Sequence, residues 1–124
     1  MPRQSLVIAA VFATIAVMAS ARPALAAYGA FAYDESAHKY GYSHDEASQK
    51  VADDLALKGC ASTGCKVVFR TGAKQCGALA TGEEGKIWGG AWRREKAAAE
   101  LAAMQDCQKR ASGQCKIRAS ECNR

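Results

Sequence analysis

Several features are missing from this sequence, and each absence excludes something. No apolar run is long enough to cross a bilayer. Leu6 to Ala19 is uncharged and largely apolar, but its 14 residues fall short of the roughly 20 that a spanning helix requires. No Cys-x-x-Cys pair occurs, so a dithiol redox centre lacks its usual spacing. Histidine is scarce: His38 and His44 are the only two, and a zinc site would need a sulfur-rich ligand set at unusual spacing. No nucleic-acid-binding motif is present.

What is present begins with an export signal. Arg3 supplies a positive start, the apolar run follows, and Ala24-Leu25-Ala26 is a small-x-small cleavage site. That order is the pattern of a secretory signal peptide, cut before Ala27. No cysteine stands directly after the cut, which argues against a lipoprotein anchor. Residues 1–26 are therefore read as signal and 27–124 as one domain of 98 residues, destined for the periplasm or for secretion, with no membrane span after cleavage. Losing Arg3 and Arg22 leaves 15 basic against 12 acidic residues, a net charge of +3. All of that excess lies in the half from Cys76 onward. A balance this mild excludes no soluble partner and gives no reason to expect nucleic acid.

The domain contains a two-fold repeat, 28–75 and 76–122. Tyr28-Gly29-Ala30-Phe31-Ala32 recurs as Cys76-Gly77-Ala78-Leu79-Ala80, and Ala52-x-x-x-Ala56-Leu57-x-x-Cys60 recurs as Ala99-x-x-x-Ala103-Met104-x-x-Cys107. Cys65-Lys66-Val67 recurs as Cys115-Lys116-Ile117. Each unit reads as β-β-α-β. Tyr28 to Tyr33 and Lys39 to Ser43 form a first hairpin, and Cys76 to Thr81 and Lys86 to Trp92 a second. The first helix is capped by Ser43 or, as the repeat favours, by Ser48, and it stops near Gly59. The second covers Arg94 to Lys109. Cys65 to Arg70 and Cys115 to Ser120 are the closing strands. Alanines and a cysteine four residues apart share one helix face, so each helix can lie close against a sheet or its twin. Gly41, Gly89 and Gly90 within strands imply a bulge or a close approach of another group. The expected fold is α+β: duplicated β-β-α-β units sharing one core, stabilised by disulfides.

Six cysteines, an even number behind a signal peptide, favour three disulfides. Count alone leaves many pairings open. The repeat selects among them: Cys60–Cys65 and Cys107–Cys115 each pin a helix end to the next strand, leaving Cys76–Cys122 to join the outer strands of the second unit.

These motifs together are similar to domain-of-unknown-function family 4189, found in small exported bacterial proteins. The resemblance rests on the Tyr-Gly-Ala start, Tyr40-Gly41-Tyr42-Ser43, Ser48-x-x-x-Ala52-x-x-x-Ala56-Leu57-x-x-Cys60, Cys65-Lys66-Val67-Val68-Phe69 and Cys76-Gly77-Ala78-Leu79-Ala80. It departs from the pattern at Glu95, where a capping Ser or Thr is expected. It implies export and disulfides, and brings no catalytic residues to carry over.

Candidate chemistry is sparse. Ser43-His44-Asp45 holds three triad residue types, but triad members converge through the fold rather than along the chain. His38 and His44 with Asp34 or Asp45 form a set compatible with several metals. Asp34-Glu35, Asp53-Asp54 and Glu83-Glu84 lack an evident cleft between facing carboxylates. No cofactor and no metal site is expected. The aromatics are a better lead: Tyr33, Tyr40, Tyr42, Trp88 and Trp92 fall on the hairpins, and Tyr and Trp are favoured at binding surfaces. Trp88, Trp92, Arg93 and Arg94 are the expected partner-binding residues; the competing reading packs these aromatics over the strand glycines. The function expected is that of a non-enzymatic binding protein of inhibitor, immunity or effector type, a monomer or weak dimer, acting on an unknown protein or envelope ligand. The alternative is a small hydrolase using His44 and nearby carboxylates.

Overall fold

A computed structural model describes residues 27–124. The expected signal segment, 1–26, lies outside the described residues. The chain runs β1 (Tyr28–Asp34), β2 (Lys39–Glu46), α1 (Gln49–Cys60), β3 (Lys66–Thr71), β4 (Cys76–Gly82), β5 (Trp88–Arg93), α2 (Lys96–Arg110) and β6 (Cys115–Cys122). The fold is α+β. The strands form two antiparallel three-stranded sheets, ordered β2-β1-β3 and β5-β4-β6.

Side-chain size alternates along the central strands, and this alternation decides the layers. In β1, Ala30 and Ala32 face α1 together with Ala52, Ala56 and Cys60. In β4, Cys76, Ala78 and Ala80 face α2 with Ala99, Ala103 and Cys107. The opposite faces carry Phe31, Tyr33 and Leu79, which meet Phe69 and Ala119 between the sheets. The order through the molecule is thus helix, sheet, sheet, helix. The buried residues form three clusters where one shared core is expected from the sequence. Each helix lies on small residues, and only the sheet-to-sheet layer holds large ones.

The strand glycines explain the close helix packing. A Cβ on Gly41 would collide with Ala56 O and Cys60 N, and one on Gly89 would lie within 2.5 Å of Ala103 O. Gly90 serves a different neighbour: a Cβ there would lie 2.5 Å from the Phe69 ring.

Some boundaries differ from expectation. β2 continues to Glu46 because the chain bulges between the Ala30–Ser43 and Tyr28–Glu46 pairs. Ser43 therefore lies within the strand, and Ser48 caps α1, its Oγ accepting from Val51 N at 3.2 Å. Gly59 remains inside α1 against Gly41. Ala61 ends the helix in the left-handed region, φ 56° and ψ 36°. α2 begins after Glu95, which makes no side-chain cap.

Three disulfides staple the layers. Cys60–Cys65 and Cys107–Cys115 clip each helix end to the strand that follows. Cys76–Cys122 joins residues directly opposite each other on β4 and β6. Two further contacts lock the halves together. At one end Tyr33 Oη donates to Gly85 O between the hairpin tips, and burial raises the pKa of this phenol. At the other end Asn123 accepts from Asp45 N and donates to Thr71 Oγ1 and Gly72 O. No helix among the described residues is long and apolar enough to cross a membrane.

Candidate functional site

Side chains at alternate positions of a strand share a face, so Trp88, Gly90 and Trp92 of β5 line up toward the opposing sheet. Gly90 leaves a notch between the two indoles, and Phe69 of β3 fills it. Its ring centroid is 6.4 Å from Trp88 and 6.2 Å from Trp92, and Phe31 stacks on its other side at 4.5 Å. Trp88 is half-buried in this row and lies under the Arg110 guanidinium, 5.5 Å from the ring centre. Trp92 ends the row and remains 48% exposed.

The structure thus divides the four residues singled out in the sequence. Trp88 belongs to the inter-sheet packing, over Gly90 and Phe69. Trp92, Arg93 and Arg94 line a cleft of about 490 Å³ with Ala73, Lys74 and Gln75. Lys74 was not recognised as a candidate from the sequence. It sits on the linker between the two units, where no repeat pattern marks it, and only the fold carries that linker to the end of β5.

That linker is held firmly. Gln75 N donates to Gly72 O at 3.2 Å, and Gly72 N donates to Gln75 Oε1 at 2.7 Å. Asn123 N donates to Gln75 O and Lys74 N to Arg124 O. Lys74 adopts φ 60°, a conformation that costs a side-chain-bearing residue roughly 1 kcal/mol and persists where the surroundings fix it. Among the described residues, Lys74, Arg93 and Arg94 have no carboxylate within ion-pair distance. Arg93 does donate to its neighbour's carbonyl, Trp92 O, at 2.7 Å. The result is a cleft bordered by three cations and one broad apolar ring with a polar N–H.

The other candidates disperse. Ser43 is buried, with Oγ donating to Ala52 O at 2.7 Å and accepting from Ala30 N. His44 faces Glu121, Nε2 to Oε2 3.8 Å. Asp45 turns to the C-terminal residues, accepting from Arg124 N at 2.7 Å. These three side chains diverge. His38 lies at the hairpin tip against Gly85, at the opposite end of β2 from His44. No group of three or more His, Cys, Asp or Glu among the described residues is arranged to hold a metal ion.

The acidic pairs are occupied or separate. Arg70 clamps Asp53 through two nitrogens at 2.9–3.2 Å, Lys50 holds Asp54, and Glu83 and Glu84 stand exposed on a turn. Asp34 anchors the first hairpin tip to the Cys60–Cys65 loop. The Ser62 hydroxyl, then the amide of Ala37, hold its carboxyl below the usual carboxylate range.

The family model described as Domain of unknown function (DUF4189) matches residues 28–122, which is every strand and helix described above. The chain belongs to the DUF4189 family. The DUF4189 fold is also similar to the NMR structure of Rv1813c from Mycobacterium tuberculosis. The two share 24% identity and a TM-score of 0.56, over 98% of this chain and 100% of that one. At that identity the likeness speaks for the fold alone. No curated protein matches this DUF4189 chain.

Proposed function

We propose that this DUF4189 domain is an exported, non-enzymatic binding protein, and that its working face is the cleft of Lys74, Trp92, Arg93 and Arg94. In this reading the two halves are a duplicated unit that shares the central aromatic layer, and the second half has specialised at the end of β5. The observation that carries the proposal is the half-exposed Trp92, propped on Phe69 beside three cations that pair with no carboxylate among the described residues. An indole held rigidly loses little conformational freedom on binding, and aromatic and arginine side chains dominate binding energy at interfaces. The cationic border selects a partner with an acidic surface segment, and like-charge repulsion disfavours basic ones. Export is supported by the composition of residues 1–26 and by the three disulfides, which persist in oxidising compartments. The role that fits is an inhibitor or immunity protein that occludes a protein of the periplasm or cell exterior.

Affinity capture from a periplasmic extract, followed by titration of the recovered partner, tests this. Trp92→Ala is expected to weaken a one-to-one complex by at least about tenfold, since interface hot spots cost roughly 2 kcal/mol or more, with thermal stability little changed. Arg93→Ala and Lys74→Ala are expected to weaken it further and to flatten its salt dependence. A partner whose affinity ignores all three substitutions overturns the assignment of this face. Turnover of a substrate that is lost on His44→Ala overturns the non-enzymatic reading.

A further inference from the structure

The outermost strands of the two sheets are treated differently by their helices. On β5, the Gly90 amide points away from β4 and donates to Asp106 Oδ2 of α2 at 3.1 Å. Arg110, one turn on, reaches the Trp88 carbonyl at 3.4 Å and pairs with Asp106 at 3.3 Å. Side chains that occupy outward-facing main-chain groups close an edge strand against further pairing.

Among the described residues β2 has no such closure at Tyr40 and Tyr42; only its far end is held, where Asn123 accepts the Asp45 amide. The packing of Ala56 and Cys60 on Gly41 matches that of Ala103 and Cys107 on Gly89, so Tyr42 corresponds to Gly90 and Gly59 to Asp106. Gly59 has no side chain. A Cβ placed there would stand 3.9 Å from Tyr42 N, where the Asp106 branch does its capping in the other half. No side chain among the described residues bonds the main chain of Tyr40 or Tyr42. The same correspondence puts Leu55 where Ala102 lines the margin of β5. Exposed apolar groups thus border β2 on both faces: Tyr40 and Tyr42 on one, Val51 and Leu55 on the other, each 38 to 43% exposed.

We infer that β2 is an open pairing edge and that its occupant is a second copy of this chain. Antiparallel pairing of β2 with itself about a two-fold axis near Tyr42 is isologous and closes after two subunits. It sets Lys39 of one copy beside Glu46 of the other, Asp45 being held by Arg124, so opposite charges meet at both ends of the ladder. It joins the two β2-β1-β3 sheets into one of six strands and brings Val51 and Leu55 of both copies together over the seam. Trp92 stacks on Phe69 of β3, the strand on the other side of β1 from β2.

Sedimentation equilibrium and hydrogen exchange of the whole exported domain test this. The expected result is a reversible dimer in which exchange at the Tyr42 amide slows by about tenfold or more between dilute and concentrated protein, as edge pairing protects outward amides. Gly59→Asp, which transplants the Asp106 device, and Leu55→Lys, which charges the seam, are each expected to raise the dimer dissociation constant at least about tenfold. Leu101→Lys on α2 is expected to change nothing. Leu55→Lys carries the test if Gly59→Asp folds poorly. A protein that stays monomeric at every concentration, or a dimer that responds to Leu101→Lys and ignores Leu55→Lys, overturns the inference. So does an exchange rate at Tyr42 independent of concentration, with the edge then left to an extended segment of another protein.

Discussion

Counted from Gly41 and Gly89, the first hairpin ends in His44-Asp45-Glu46 and the second in Trp92-Arg93-Arg94. The acidic end is consumed internally. Asp45 takes the Arg124 amide and side chain, its own amide goes to Asn123, and His44 faces Glu121. The basic end meets no carboxylate among the described residues, and its tryptophan stands half in solvent. The edges behind these ends are reversed: β5 is closed by Asp106 and Arg110, and no side chain among the described residues caps β2 at Tyr40 or Tyr42. Two halves with one plan therefore differ in detail. One strand end is tied into the fold and the other pairs with no carboxylate among the described residues, while one edge is capped by helix side chains and the other is not. A repeat preserves what packing requires, here the helix-to-sheet contact, and releases the positions outside it.

The packing common to both halves is most sensitive at the glycines. Gly41→Ala and Gly89→Ala should each destabilise the domain by about 3 kcal/mol or more, the upper end for overpacking, because the new Cβ meets helix backbone that cannot move alone. Urea denaturation should find the two alike, and a tolerant Gly41→Ala beside a damaging Gly89→Ala would show that the halves are not packed equivalently. Gly90→Ala meets the rings of Phe69 and Trp88 rather than backbone and should cost less.

The disulfides come next. Replacing Cys76 and Cys122 together by serine should cost about 4 kcal/mol, and replacing Cys60 and Cys65 about 2, because closing the longer loop removes more denatured-state entropy. Full reduction should unfold the domain, and a circular dichroism spectrum unchanged by reductant would contradict this. Asp106→Ala should cost about 1 to 3 kcal/mol for the bared Gly90 amide and make β5 resemble β2. New association of this variant, measured by light scattering, is the expected sign.

Acid should act on the first half. Asp34 and Asp53 both lie there and are both held low, Asp34 by Ser62 and Asp53 by Arg70. A carboxyl whose folded pKa lies below its unfolded value stabilises the fold above that unfolded value, about 4, and the contribution is lost as pH falls through the folded one. Melting temperature should therefore drop below about pH 4, and Asp34→Asn should reduce that dependence. The smallest expected effect is a gain: Ala61→Gly relieves a left-handed backbone and should stabilise by about 0.5 to 1 kcal/mol. The second helix ends at Ala111 with φ −95°, so Ala111→Gly should give no such gain.

Element order was legible in the sequence because the two units spell it twice. Alternating aromatics and alanines mark the strands, and four-residue spacing of Ala52, Ala56 and Cys60 marks a helix face. Local conflicts hid the details. Asp45 at φ 54° carries β2 past the expected end, because Asn123, far along the chain, accepts its amide. Gly59 reads as a helix stop, yet Gly41 beneath it needs a flush helix and Ala61 takes the turn instead. The candidate site was legible in its aromatic and arginine members but not in Lys74, which reaches them only through the fold.

By itself, then, the sequence determined the α+β class, the order of elements, the even set of cysteines and the charge excess of the second half. All of these depend on composition and on neighbours within about a dozen residues. The tertiary structure decided which face of each sheet meets a helix and which meets the other sheet. It also split Trp88 from Trp92, brought the inter-unit linker to the end of β5, and capped one edge with helix side chains but not the other. Those outcomes depend on groups such as Asn123 and Asp45, or Phe69 and Gly90, that lie far apart in the chain and meet only when burial of the large side chains between the sheets draws the two halves together.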